Sequence, residues 1–177
     1  MNGDQRSIAS KAAELRQAFD RSFARAADAD RPPSEDLLAI RVGGDAFAVR
    51  FAEVAGVFVD CKLAPLPGSA PQLIELTALK GRVLPVYDLG ALLGYPAAAA
   101  ARSWLVAAGA PVALAFDRFD GHLRVAREAV TPRRSADANQ PFVDEAVRTE
   151  RLIRPIIRVA SVVEAIESLA RRARPAE

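Results

Sequence analysis

The chain has 177 residues, of which 51% are hydrophobic and 26% charged, and a formal net charge of +2. That length supports a real core in one domain or two small ones. One cysteine rules out an internal disulfide, one histidine rules out a triad or a His-based metal site, and the mild arginine excess (11 basic to 8 acidic side chains over residues 124–177) lacks the concentrated stripe of a nucleic-acid binder.

Taken in order, Ile8, Ala12, Leu15, Phe19 and Phe23 recur at steps of three and four, which predicts an amphipathic helix over Ile8–Ala27. Pro32-Pro33 cannot continue it, so residues 1–36 read as an N-terminal helical extension. From Leu37 the period becomes two. Leu38, Ile40 and Val42, then Phe47, Val49 and Phe51, flank Gly43-Gly44-Asp45 and predict a hairpin. Val54–Val59 is a further extended apolar run. Leu63–Pro71 reads as a proline-punctuated loop, and Leu73–Leu79 as the lead into the densest stretch, Leu79–Gly94.

There Lys80-Gly81 marks a turn and Val83–Tyr87 a buried strand. Pro85 within it predicts an edge strand or a bulge, as at a barrel corner. Asp88 offers a helix cap, followed by Leu89, Leu92 and Leu93 at helical spacing. The alanine-rich Pro96–Arg102 is the best internal boundary. Ser103–Ala108, Pro111–Phe119 and Leu123–Ala126 read as strands, with a tight turn at Asp120-Gly121. Residues 131–142 read as a polar loop and Arg151–Val159 as a strand containing Pro155. Ser161–Glu164 reads as the capping box of a last helix with Val162, Val163, Ile166 and Leu169 on its apolar face. Many short strands with frequent turns point to barrel or sandwich architecture. One echo stands out: Pro85–Leu93 overlays Pro155–Val163, with the proline and most apolar positions coinciding, which suggests two related halves.

Catalytic chemistry is sparse. His122 reads as a solvated turn residue, and Cys61 as a strand-end residue with no neighbour that would activate a thiol. Asp117 and Asp120 are the closest carboxylates in the second half, and Asp120 is explained by its expected turn. No phosphate-binding glycine loop occurs. These observations predict no enzyme, no cofactor and no bound metal. No run approaches ~18 apolar residues and no signal peptide is visible, so the expectation is a soluble cytoplasmic protein without membrane insertion.

The stretch LPGSAPQLIELTALKGRVLPVYDLGALLG resembles the signature of CheW-like domains: a Pro-Gly loop, an apolar run, a basic residue before glycine, a strand with Pro-Val, then Asp-Leu. Phe116-Asp117-Arg118-Phe119 is similar to the Val-Asp-x-Val segment of that family's second half, and the likeness runs from about Leu37 to Leu169. The resemblance implies a mainly β fold of two small five-stranded β-barrels with a C-terminal helix, here residues 37–177 with a subdomain split near 96–102. It implies a non-enzymatic adaptor in bacterial chemosensory signalling. Its partners would be the signalling tip of a methyl-accepting chemoreceptor and the regulatory domain of a CheA-type histidine kinase. By position, Val54, Lys80 and Gly81 would face the receptor, while Pro85, Asp88, Asp117 and Pro155 are structural signature positions. Gly56, Glu75, Ala78, Lys80 and Arg158 depart from the family pattern, and they point to a specialised variant that engages only one of the usual partners. The alternative reading is a small β-barrel that binds a small ligand or nucleic acid.

Overall fold

Strand alternation sends successive apolar residues to opposite faces, and among the described residues this builds three cores. The computed structural model describes residues 33–66, 72–96, 104–133, 140–149 and 152–173. The helix expected over Ile8–Ala27 lies outside them.

Among the described residues, twelve strands form two mixed sheets. Sheet A, in the order β10-β11-β12-β2-β1-β9, comprises β1 (Ser34–Val42), β2 (Asp45–Arg50), β9 (Arg118–Ala126), β10 (Val130–Pro132), β11 (Val143–Arg148) and β12 (Ile153–Ile157). Sheet B, in the order β3-β7-β8-β6-β5-β4, comprises β3 (Val54–Val59), β4 (Leu63–Pro65), β5 (Leu73–Leu79), β6 (Arg82–Asp88), β7 (Trp104–Ala108) and β8 (Ala113–Phe116). The three-residue β4 and β10 bring each sheet to six strands where five were expected. Two helices follow equivalent strands, α1 (Leu89–Leu92) after β6 and α2 (Val159–Ala173) after β12.

Each sheet curls around its own small core. In sheet B every strand contributes to one cluster: Phe58, Leu63, Leu79, Leu84, Leu105 and Ala113. In sheet A, Leu37, Ala48, Leu123, Val130, Val147 and Ile156 do the same. The opposite faces of the central strands form the largest core, where Ile40, Phe47, Val49, Val106, Leu114 and Phe116 meet the apolar faces of both helices. Strands buried on both faces explain why Leu37–Ile40 and Val112–Phe116 read as near-continuous apolar runs.

The echo between Pro85 and Pro155 is a structural repeat. Leu76 pairs with Pro85, and 70 positions later Ala146 pairs with Pro155. Register shifts fall between Leu73 and Glu75 and again between Val143 and Glu145. β6 then runs parallel to β8 from Val86↔Ala113, and β12 parallel to β2 from Ile156↔Ala48. Neither proline is on an edge strand, contrary to one expected option. Each stands one residue before its parallel pairing begins, where a missing N–H costs no ladder bond. Each hairpin, β1–β2 or β7–β8, is followed by a strand that crosses to the other sheet. Gly109 N–H donates to Glu53 O at 3.2 Å and Asp117 N–H to Arg41 O at 3.1 Å, which ties each crossing to the hairpin it joins.

Several local expectations shift. Asp120-Gly121 is not a turn but lies within β9, because pairing with β1 and side-chain bonds to arginines override the Asp-Gly preference. The chain bends at Asp117 instead, where Oδ2 accepts from Gly44 N–H at 3.3 Å. Leu63–Pro65, expected as loop, pairs with β5. β11 was not anticipated at all. α2 begins at Val159, two residues before the expected capping box. Its first N–H donates to Glu53 Oε2 at 2.6 Å, a cap supplied from a residue 106 positions away. Ser161 Oγ instead accepts from Arg158 Nε at 2.7 Å.

Candidate docking site

The residues singled out around Lys80 converge at one end of sheet B. Lys80 and Gly81 are the two central residues of the β5–β6 hairpin, closed by Leu79↔Arg82, with φ of 50° and 77°. Two left-handed residues make the hairpin turn whose twist matches its strands. Gly81 adopts this conformation freely, whereas a lysine there costs about 1–2 kcal/mol. Lys80 Nζ lies 5.8 Å from the centroid of the Phe58 ring on β3, within cation–π range.

Beneath this contact is a cavity of about 140 Å³ lined by Ala55, Phe58, Leu79, Lys80 and Leu84, with Arg82 at its rim. Ala55 and Ala107 are too small to fill the space between β3 and the β5–β6 hairpin, which leaves the end of the sheet B core open. Gly109 and Ala110 of the β7–β8 turn also line a second, largely apolar cavity of about 340 Å³, with Glu53, Val159 and Val163. The two therefore meet across that turn. The β7–β8 turn is a wall common to both, with Lys80 and Arg82 lining the smaller cavity and Glu53 the larger.

Val54 is half-buried, opposite Ala108, and packs against the central core. It lines neither cavity; its neighbours Glu53 and Ala55 do. Phe58, which the sequence reading passed over, holds Lys80. Its signal was an aromatic in a strand otherwise made of Val, Ala and Gly. Pro85 and Pro155 lie at the strand positions described above. Asp88 is buried and caps α1, its Oδ1 accepting from Gly90 N–H at 2.8 Å and Ala91 N–H at 3.2 Å.

The equivalent end of sheet A has different chemistry. Arg154, 8% exposed, donates to Ile40 O and Phe47 O at 3.3 Å each and to Asp120 Oδ2 at 2.9 Å. Arg118 Nε donates to Asp120 Oδ1 at 3.0 Å, and Arg41 Nε stands 3.2 Å from Oδ2. Burial alone would raise the Asp120 carboxyl. Hydrogen bonds from Arg154 and Arg118 and the nearby charges outweigh it and hold the group below the usual carboxylate range.

A family model for the CheW-like domain matches residues 36–167. The chain belongs to the CheW-like domain family. The match spans nearly the whole Leu37–Leu169 stretch over which the likeness was read, and it includes both repeats. This CheW-like domain is also similar in fold to the crystal structure of scaffolding protein TtCheW from Thermoanaerobacter tengcongensis. The TM-score is 0.63 at 16% identity, over 72% of this chain and 90% of that one. No curated protein matches the sequence. Among the described residues of the CheW-like domain, no helix is long and apolar enough to cross a membrane. No group of three His, Cys, Asp or Glu there is placed to hold a metal ion.

Proposed function

We propose that this CheW-like domain is a non-enzymatic adaptor of a cytoplasmic chemosensory system. It would link the signalling tip of a chemoreceptor to the regulatory domain of a CheA-type histidine kinase. The observation that carries this reading is the family match over residues 36–167. The open apolar cavity beside Lys80 supports it, because such a surface fits the exposed ridge of a helical partner, and Lys80 and Arg82 at its margin suit an acidic group on that ridge. Ala78 and Lys80, two of the departures from the family pattern, are exposed on the β5–β6 hairpin, which supports a specialised adaptor with an altered partner preference.

The test is co-sedimentation of the full chain with receptor signalling-tip helices and, separately, with the kinase regulatory domain, at about 10–50 µM, a range that captures weak signalling contacts. Binding to at least one is expected. Lys80→Glu should weaken receptor binding about tenfold, near 1.4 kcal/mol, and leave kinase binding unchanged. Absence of binding to both partners contradicts the proposal.

A further inference from the structure

The two helices follow equivalent strands but are fixed by different means. Asp88 stands three residues after Pro85 and caps α1 locally, through Gly90 N–H and Ala91 N–H. Arg158 stands three residues after Pro155, at the equivalent position ahead of α2. A guanidinium has no acceptor and carries the wrong charge for a helix N-terminus. It donates through Nε to Ser161 Oγ, and its Nη1 lies 3.0 Å from Asp144. The first N–H of α2, that of Val159, goes instead to Glu53 Oε2 at 2.6 Å.

Glu53 holds a second element at the same time. It ends the short helical turn Phe51–Glu53, where the chain leaves β2 of sheet A for β3 of sheet B. Its carbonyl oxygen accepts from Gly109 N–H in the β7–β8 turn at 3.2 Å. Gly109 and Ala110 line the cavity of about 340 Å³ from that turn, and Val159, Ala160 and Val163 line it from α2. One residue thus bonds to both, by main chain to the turn and by side chain to the helix. Arg50 Nη1 lies 3.9 Å from Glu53 Oε1, and Arg50 is itself held by Glu35 of β1 and Glu145 of β11. A carboxylate on a backbone N–H makes a short, strong bond, and this one is braced through Arg50 by the strands of sheet A. We propose that Glu53 is the positioning residue of this cavity. Its carboxylate sets α2 against the β7–β8 turn and so sets the opening presented to a docked partner, without itself touching that partner. A local cap of the kind Asp88 gives α1 would stabilise the first turn of α2 and leave the helix free to shift against sheet B. The binding half of this inference rests on the adaptor reading; the geometric half does not.

The repeat supplies the test. Glu53→Ala removes the distant cap and should lower the melting temperature by about 4 °C. Adding Arg158→Asn gives α2 a local cap, with no new charge beside Asp144, and should recover most of that loss. Glu53→Gln keeps an oxygen that accepts from Val159 N–H. Spin labels at Ala78→Cys on β5 and Glu164→Cys on α2, both exposed positions, are placed in a Cys61→Ser background of the full chain. Their distance distribution is measured in samples frozen from well below each melting transition. The expected result is a wild-type distribution in Glu53→Gln and a broadened or shifted one in Glu53→Ala and in Glu53→Ala/Arg158→Asn, although the double variant has regained stability. Binding to receptor signalling-tip helices should be retained in Glu53→Gln and weakened about tenfold in both variants that lack the carboxylate. A wild-type distance distribution in Glu53→Ala/Arg158→Asn overturns the proposal, because Glu53 is then a cap and nothing more. So does receptor binding restored together with the melting temperature, or a Glu53→Gln variant as perturbed as Glu53→Ala. If the wild-type chain binds neither receptor nor kinase, the adaptor reading falls and the distance measurement alone decides the role of Glu53.

Discussion

Removing the carboxylate of Asp120 should destabilise the domain far more than an exposed strand residue normally does. Arg154 keeps its two carbonyl acceptors but loses its only counter-charge among the described residues, inside a side-chain environment 10% exposed. Breaking a buried pair by deleting one partner costs about 3–5 kcal/mol. The retained carbonyl bonds place Asp120→Ala near the lower bound, about 3 kcal/mol. At about 2–4 °C per kcal/mol for a chain of this size, the melting temperature should fall by roughly 6–12 °C. The repeat supplies the rescue. Arg154→Leu copies Leu84, and combined with Asp120→Ala it removes both charges together, a change that is often neutral or stabilising. Trp104, the only tryptophan, packs 5.5 Å from Phe119 and 6.4 Å from Phe116 (ring centroids) and reports unfolding by fluorescence. Denaturant titrations of the three proteins decide the matter. A loss below about 1 kcal/mol in Asp120→Ala, or a double variant no more stable than the single one, would refute the reasoning.

Other outcomes follow from the same geometry. Asp120 has a lowered carboxyl pKa in the fold, so its contribution is complete above the unfolded value of about 3.9 and is lost as pH falls through the folded value. The stability profile of Asp120→Asn should therefore be flatter than wild type on the acid side, read by urea unfolding at stepped pH. Tyr95 donates to Asp45 Oδ2 at 2.6 Å; burial first, then this bond, pushes its phenol up to about 12. Its contribution is complete below the unfolded value of about 10 and is lost as pH rises through the folded value. Tyr95→Phe should cost about 1 kcal/mol at neutral pH and remove the latest phenolate step from an alkaline ultraviolet titration. Gly43 has φ of 62°, and a Cβ there would stand 2.2 Å from the Tyr95 ring. Gly43→Ala should accordingly destabilise by about 2–3 kcal/mol, against near neutrality for Gly43→Ala in a Tyr95→Ala background beyond the strain of the φ angle itself. Asp88→Ala should cost about 1 kcal/mol through the lost cap of α1.

The first half of the fold was legible because its strands carry their own turn chemistry. Gly43-Gly44 and Lys80-Gly81 close two-residue hairpins where the sequence placed them, and the repeated proline revealed the duplication. β11 escaped notice because Asp144, Glu145 and Arg148 interrupt it; two of these charges are satisfied across space, Glu145 by Arg50 and Asp144 by Arg158 at 3.0 Å. The cap of α2 comes from Glu53, a partner no local pattern reveals. Asp120-Gly121 misled for a related reason, since the carboxylate bonds to Arg154 rather than to its own backbone. At the docking site the hairpin of Lys80 could be read from residues alone. The cavity beside it could not, because it arises where small residues of β3 and β7 meet two separate hairpins.

The adaptor reading is tested most directly by reconstituting receptor signalling tips, a CheA-type kinase and this chain, and measuring receptor-dependent kinase autophosphorylation. The account predicts that adding the chain raises receptor control of the kinase and that Lys80→Glu reduces this effect at equal protein concentration. Kinase activity and its receptor control that are identical with and without the chain would contradict it.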